Sequence, residues 1–333
     1  MTMNEVSKIM GYPDFFVVGT QKSATTTLYQ ALSQHPAVFV PSIKEPNYFC
    51  SDISQQLLIL SANDKSRLFV VENNKQLESL LKRDVLTAHV VHEDLYLDLF
   101  RAAKPGMLKG DFSVNYLYSE KAAAEIKRVC PTARIIAVLR NPVDRAYSQY
   151  AMSVMLGVEH RDFSTAIREE MAEGFQMVNI NSNGYLGRGL YCKQLKRYFD
   201  EFPKEQILVI RFEDLIGKNQ DTMSAICTFL GVPKMEFHLT HEFVGKEARF
   251  ARINCLLTRY SIRRFLGNLL SRKFKDKLKE SYYVSGVKQK MLDADRKILC
   301  DFFREDVAEL EKLLGHSYSS WSACENSSRH FQR

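Results

Sequence analysis

The sequence predicts an α/β protein built on a mostly parallel sheet with helices on both faces. Short apolar runs recur at Phe15–Val18, Ala133–Leu139 and Ile207–Ile210, as expected for strands buried on both faces. Stretches with helical spacing stand between them, and such alternation joins parallel strands by right-handed crossovers. No internal repeat or low-complexity linker interrupts the 333 residues. A single domain over 1–333 is therefore expected, with an α/β core over 12–235 and a helical, basic C-terminal part over 240–325.

In chain order, the first strand runs into Gly19, and GTQKSATTTL comes next. The next helix should run from Ala24 to Ser33 and stop before Pro36, because the residue preceding proline disfavours the helical region. Val38–Val40 is a strand candidate that opens into Pro41–Phe49, PSIKEPNYF, a loop pinned by two prolines. Leu57–Leu60 and Leu77–Leu81 have helical character, and Leu86–Val91 extended character. Met107–Phe112 reads as a strand leading into the polar turn Ser113–Tyr116. The run ARIIAVL ends at Arg140, and a helix start comes after it: Asn141 caps, Pro142 fits the first helical position, and Asp144 sits in the positive first turn. Apolar residues at 191, 195, 198, 199 and 202 predict an amphipathic helix over Arg188–Phe202. Ile207–Ile210 is the next strand, and Asp221–Leu230 a helix closed by Gly231. Ile298, Phe302, Val307, Leu310 and Leu313 mark a last amphipathic helix.

With 45% hydrophobic and 26% charged residues, the chain has the composition of a folded domain. The N-terminal residues lack the apolar core of a signal peptide, and no run approaches the ~18–20 apolar residues of a membrane span. The seven cysteines form no C-x-x-C pair and the eight histidines no H-x-x-x-H pair. Reduced thiols, a cytoplasmic location and no metal are expected. The net charge is +7, but Lys246–Lys279 alone carries +9. This is a local basic patch, suited to an anionic acceptor or peripheral membrane contact rather than to a nucleic acid polymer. Arg249, Arg252, Arg259 and Arg263 would form one stripe if a helix ran through them.

The chemistry gathers around the first strand's end. A glycine turn leading into a helix start presents free N–H groups to an anion, Lys22 adds a point charge, and Thr25, Thr26 and Thr27 add hydroxyls. This is not G-x-x-x-x-G-K-[ST], since the lysine precedes the small residues. Arg140 stands at the carboxyl end of a central strand, where open α/β sheets bind ligands, and Ser148 lies about two turns of helix beyond Pro142. The same residues admit plainer readings: an ordinary strand–helix turn, an Arg140–Asp144 pair, and Glu45 as a solvated carboxylate paired with Lys44.

GTQKSATTTL, KEPNYF and RIIAVLRNPVDRAYSQY, in that order and spacing, resemble the PAPS-dependent sulfotransferase family. The similarity is to its carbohydrate branch, the Golgi heparan sulfate enzymes and their soluble bacterial relatives. It continues through GRGLYCKQLKRYFDEFPKEQILVIRFEDL to DVAELEKLLGHSYSSW. The resemblance implies a P-loop-like fold and transfer of the sulfuryl group of PAPS to a hydroxyl of a sugar or glycolipid, with release of PAP and no metal. It implies that Lys22, Ser23, Ala24, Thr25, Thr26 and Thr27 hold the 5′-phosphosulfate, and that Arg140 and Ser148 hold the 3′-phosphate. It makes Glu45 the general base and Lys22 the cation on the bridging oxygen; His35 and His92 are the alternative bases. Arg188 would reach the nucleotide or the acceptor, or cap the following helix. Acceptor contacts are expected from the loops 51–105 and 155–185. Three positions depart from the pattern: Ala24 replaces a glycine, Asn47 replaces a frequent histidine, and Asp111–Asn115 lacks the lysine of a K-T-P element. The competing functions are a P-loop kinase or nucleoside triphosphatase, a sulfotransferase acting on a small-molecule or lipid alcohol, and a non-catalytic binder of anionic glycans.

Overall fold

The apolar runs become neighbouring strands of one parallel sheet, the third of them at its edge. The computed structural model describes residues 11–53, 69–82, 87–156, 159–174, 184–237, 246–248, 283–285 and 291–322. Its first seven strands are β1 (Phe15–Gly19), β2 (Val38–Phe39), β3 (Phe69–Val71), β4 (Ala88–Val90), β5 (Leu108–Asp111), β6 (Arg134–Leu139) and β7 (Ile207–Arg211). Five of them form a sheet in the order β2-β5-β1-β6-β7, every neighbour parallel, while β3 and β4 make a separate parallel pair. An eighth and ninth strand, β8 (Lys246–Ala248) and β9 (Tyr283–Ser285), pair antiparallel.

The helices are α1 (Thr25–Leu32), α2 (Asn74–Leu81), α3 (Glu93–Asp98), α4 (Ala122–Val129), α5 (Pro142–Leu156), α6 (Phe163–Ala172), α7 (Tyr191–Glu201), α8 (Phe212–Gly217), α9 (Asn219–Leu230), α10 (Asp293–Leu314) and α11 (Ser319–Ser322). Strand alternation divides the core. Phe15, Val17, Ile136 and Val138 pack with Leu28 and Leu32 of α1 and with Met223, Ile226 and Leu230 of α9. Phe16 meets the edges of Phe49 and Tyr116 instead, with centroids 5.7 and 6.4 Å away, and Tyr198 of α7 donates to Tyr116 O at 2.8 Å.

The chain divides into two compact units. One is Met1–Arg140 with Leu190–Thr240; the other is Asn141–Gly189 with His241–Arg333. The sheet, α1–α4 and α7–α9 belong to the first, and α5, α6, α10 and α11 to the second. The sequence suggested a division near 235–240, whereas 141–189 groups with the C-terminal part.

Several expectations change in detail. The helix read over Arg188–Phe202 is a 3-10 turn at Gly187–Gly189 and then α7. The stretch 155–185, read as a loop, contains α6, whose cap Asp162 accepts from Thr165 N at 2.9 Å. On α10 the buried stripe is Leu299, Phe303, Val307, Leu310 and Leu314, one residue along from the expected positions at three of its five sites. Cys50, Cys130, Cys192 and Cys227 are free and buried, but Cys300 is disulfide-bonded, so the expectation of reduced thiols throughout does not hold. The helix read at Leu57–Leu60 and the stripe from Arg249 to Arg263 lie outside the described residues. Among the described residues no helix is long and apolar enough to cross a membrane.

Candidate active site

The first strand ends where a side chain has no room: a Cβ on Gly19 would lie 2.9 Å from Leu117 Cβ. The chain then winds tightly through Thr20–Ala24. Thr20 N donates to Val138 O at 2.7 Å, and the Thr20 and buried Ser23 hydroxyls share a 2.5 Å hydrogen bond. Lys22 and Ala24 both adopt left-handed backbone, with φ of 71° and 60°. For an L-residue that conformation costs roughly 1–2 kcal/mol, and glycine adopts it freely. Ala24 therefore keeps the small size of the family's glycine but not its conformational ease. From Ala24 the chain enters α1, which has no side-chain cap and no acid in its first turn. By contrast, Asn73 caps α2 and Asp162 caps α6. The first N–H groups of α1 thus have no side-chain cap of their own helix, which leaves them available to an anion.

Arg140 secures this loop. Its Nη1 donates to Lys22 O at 3.0 Å, its guanidinium lies 4.6 Å from the Phe212 ring centroid, and its carbonyl accepts from Tyr191 Oη at 2.9 Å. Asp144, the partner considered from sequence, forms its ion pair with Arg296 at 2.9 Å.

Glu45 is not a solvated carboxylate. Its side chain is 14% exposed and pairs at 2.6 Å with Lys44, which is 2% exposed. Lys44 Nζ also donates to Thr25 Oγ1, on the first residue of α1, at 3.3 Å. The lysine considered from sequence only as a solvated partner is thus a buried link between the candidate base and the anion loop.

The backbone around Glu45 is held on two sides. Ala88 N and Val90 N of β4 donate to Glu45 O and Pro46 O at 2.9 and 3.0 Å. Asn47, with φ of 52°, occupies the left-handed region that asparagine tolerates better than most residues. Its Nδ2 donates to Glu45 O and Ala88 O, its Oδ1 accepts from Asn115 Nδ2, and its N–H donates to Ser113 Oγ. At the position where the resemblance expects histidine, this chain has a buried joint that ties the loop to β4 and to the 113–115 turn.

That turn rests on Asp111. Its fully buried carboxylate accepts from Ser113 Oγ at 2.7 Å and from Tyr96 Oη and Tyr116 Oη at 2.8 Å each. Tyr116 Oη in turn accepts from Tyr48 N and Phe49 N. Burial raises the Asp111 pKa to about 6, helped by the nearby Glu45 charge and opposed by the three hydroxyl donors. A carboxylate network therefore fills the place of the missing K-T-P lysine.

Of the alternative bases, His35 is committed to structure: Nε2 lies 2.8 Å from Pro233 O, and Nδ1 accepts from Ala37 N at 3.1 Å. His92 is exposed at the start of α3. His89, which sequence reasoning passed over, is buried on β4 with Nδ1 3.3 Å from Asn47 O, and burial lowers its pKa.

The first unit thus brings Lys22–Thr27, Lys44, Glu45 and Arg140 together. Ser148, half-buried on α5, and Arg188, in the 3-10 turn, belong to the second unit. The segment leading into Arg188 is fixed by buried Glu170, which accepts from Tyr185 N, Leu186 N and Gly187 N at 2.9, 2.9 and 3.1 Å.

The family model described as Sulfotransferase family matches residues 13–236. A crystal structure of a sulfotransferase from Alicyclobacillus acidocaldarius superposes with a TM-score of 0.63 at 27% identity, covering 93% of this chain and 98% of that one. The bifunctional heparan sulfate N-deacetylase/N-sulfotransferase 1 of Xenopus laevis is 26% identical over 93% of this chain, which spans 31% of that protein. Human carbohydrate sulfotransferase 15 is 25% identical over 66% of this chain and 44% of its own length. The chain therefore spans less than half the length of these curated relatives. With the family match extending from the start of β1 past α9, the chain belongs to the sulfotransferase family.

Proposed function

We propose that this sulfotransferase moves the sulfuryl group of PAPS to a nucleophile on a carbohydrate, a sugar hydroxyl or amine, and releases PAP. The observation that carries the reading is the Thr25–Lys44–Glu45 link, a carboxylate fixed beside the uncapped start of α1. A phosphosulfate fits that start, which offers backbone donors, the Lys22 charge and no acid in its own first turn. Lys22–Thr27 would hold it, while Arg140, in the same unit, is the candidate for the 3′-phosphate end. The carbohydrate acceptor is supported by the named activities of the relatives.

Bound there, PAPS supplies the sulfuryl group. Glu45 takes the acceptor's proton as the acceptor atom bonds to sulfur. The bond from sulfur to the 5′-phosphate oxygen breaks, and its electron pair stays on that oxygen. Lys22 and the α1 amides would stabilise the charge that builds there. A positioned base of this kind is worth ~10²–10⁴-fold in rate.

The test is incubation with sulfur-labelled PAPS and a panel of N-deacetylated and O-desulfated glycans, glycolipids, phenols and steroids. Label on a glycan is the expected result. Label only on phenols or steroids would move the acceptor to small molecules, and phosphate transfer from ATP without any use of PAPS would replace the reading with a kinase.

A further inference from the structure

We propose that Lys44 is a catalytic cation of this site, acting on the oxygens of the group being transferred. The proposal rests on the sulfotransferase reading above. An ammonium removed from water carries a penalty of several kcal/mol unless its charge and donors are matched. Lys44, 2% exposed, is matched only in part. It has three N–H donors, and its contacts among the described residues are Glu45 Oε1 at 2.6 Å and Thr25 Oγ1 at 3.3 Å. One strong partner and one long one leave donor capacity at the first turn of α1, where the helix supplies no cap. No lysine stands in the 111–115 turn to act there, because Asp111, Ser113, Tyr96 and Tyr116 fill it with a closed network.

The ion pair gives the cation its timing. While Glu45 is ionised, its charge holds the Lys44 ammonium. When Glu45 receives the acceptor's proton, that attraction disappears, at the moment negative charge builds on the oxygens around sulfur and on the departing 5′-phosphate. The ammonium is then drawn from the carboxyl group to those oxygens, strongly so in a water-poor site. No bond to Lys44 forms or breaks, and its protons stay in place. The sulfur passes from phosphate oxygen to acceptor atom and the proton from acceptor to Glu45, so the step balances.

The experiment compares wild type, Lys44→Met, Lys44→Arg, Glu45→Gln and the Glu45→Gln/Lys44→Met double variant. PAP affinity is measured by calorimetry, and turnover with PAPS and an N-deacetylated heparan oligosaccharide by PAP release. Lys44→Met should lose ~10²–10³-fold in kcat, the scale for removing one transition-state donor, with PAP affinity within about threefold because PAP lacks the sulfuryl group. Lys44→Arg should recover part of the rate. The double variant should be slower than Glu45→Gln alone. Should Lys44→Met fail to fold, Lys44→Gln takes its place. Near-wild-type kcat, a parallel loss of PAP affinity, an arginine variant no faster than the methionine one, or a double variant equal to Glu45→Gln would each overturn the proposal. The last would make Lys44 a positioning residue acting through Glu45. A wild type that neither binds PAP nor consumes PAPS would sink the function itself, and would show that before any variant is made.

Discussion

Glu45, Arg140 and Ala24 carry the sharpest expectations at the scale of single residues. Glu45→Gln should lower kcat by ~10²–10⁴-fold while PAP affinity, measured by calorimetry, stays within a few-fold, because the carboxylate faces Lys44 rather than the loop amides. Unaltered turnover would remove the base role from Glu45 and reopen the histidines as candidates. Arg140→Ala should cost PAP about tenfold to a hundredfold, the worth of a charge-assisted hydrogen bond. Adenosine 5′-phosphosulfate, lacking the 3′-phosphate, should lose only the smaller amount due to freeing the Lys22 carbonyl. Equal losses for both nucleotides would make Arg140 purely a clasp for the loop. Ala24→Gly should raise unfolding stability by about 0.5–1 kcal/mol, the left-handed cost minus the extra chain entropy of glycine, read from denaturant midpoints. The small residue at 24 was visible in the sequence, but its left-handed conformation was not, since φ is set by the winding between Gly19 and α1. Nor was the burial of Lys44, which depends on how the KEP loop is laid against α1.

Among elements, β5 and the turn after it help set the position of the Glu45 loop through Asn47. A Cβ on Gly110 would collide with the Phe15 ring, so Gly110→Ala should destabilise the sheet by about 1–3 kcal/mol or more. Thermal or denaturant unfolding measures it. Asp111, at the end of the same strand, makes stability depend on pH. Its pKa is raised on folding from 3.8 to about 6, so the folded state favours the protonated form. That contribution is fully present below pH 3.8 and is lost as pH rises through about 6. Relative to Asp111→Asn, wild type should therefore lose about 3 kcal/mol between those limits, seen as diverging urea midpoints at stepped pH. The strands themselves were legible because a parallel sheet buried on both faces needs unbroken apolar runs. The Asp111 network was not, because Tyr96, Ser113 and Tyr116 meet it only once α3 and the turn are in place. α6 was hidden differently: its Glu170 looks like surface charge until three backbone donors from 185–187 converge on it.

For the whole molecule, charge is the property that the sequence alone still governs. The +9 segment Lys246–Lys279 leaves the rest of the chain near −2, so the positive charge available to attract an anionic acceptor is concentrated in one stretch of sequence. Such a field acts mainly on association rate and is screened over ~8–10 Å at physiological salt. With an anionic glycan, acceptor KM should rise steeply with salt in wild type. Arg259→Glu/Arg263→Glu should begin with a higher KM and respond less. Coincident, flat curves would remove the segment from acceptor capture and leave the sulfotransferase assignment untouched.

The fastening of the Glu45 loop also bears on how such an enzyme can change its preferences over time. The chain leaves this loop at Cys50 and returns at Thr87, whose bridge to Glu45 and the adjoining hydrogen bonds from β4 close a circuit of chain at Glu45. Lengthening a closed circuit is cheap, each doubling adding only about 0.6 kcal/mol of closure entropy. Insertions in this span outside β3 and α2 can therefore accumulate at little cost, while the Glu45 backbone stays held by β4 and Asn47 and its carboxylate by Lys44. Transplanting this span from a relative, with 44–50 and 87–90 left intact, should exchange the acceptor and spare the donor chemistry.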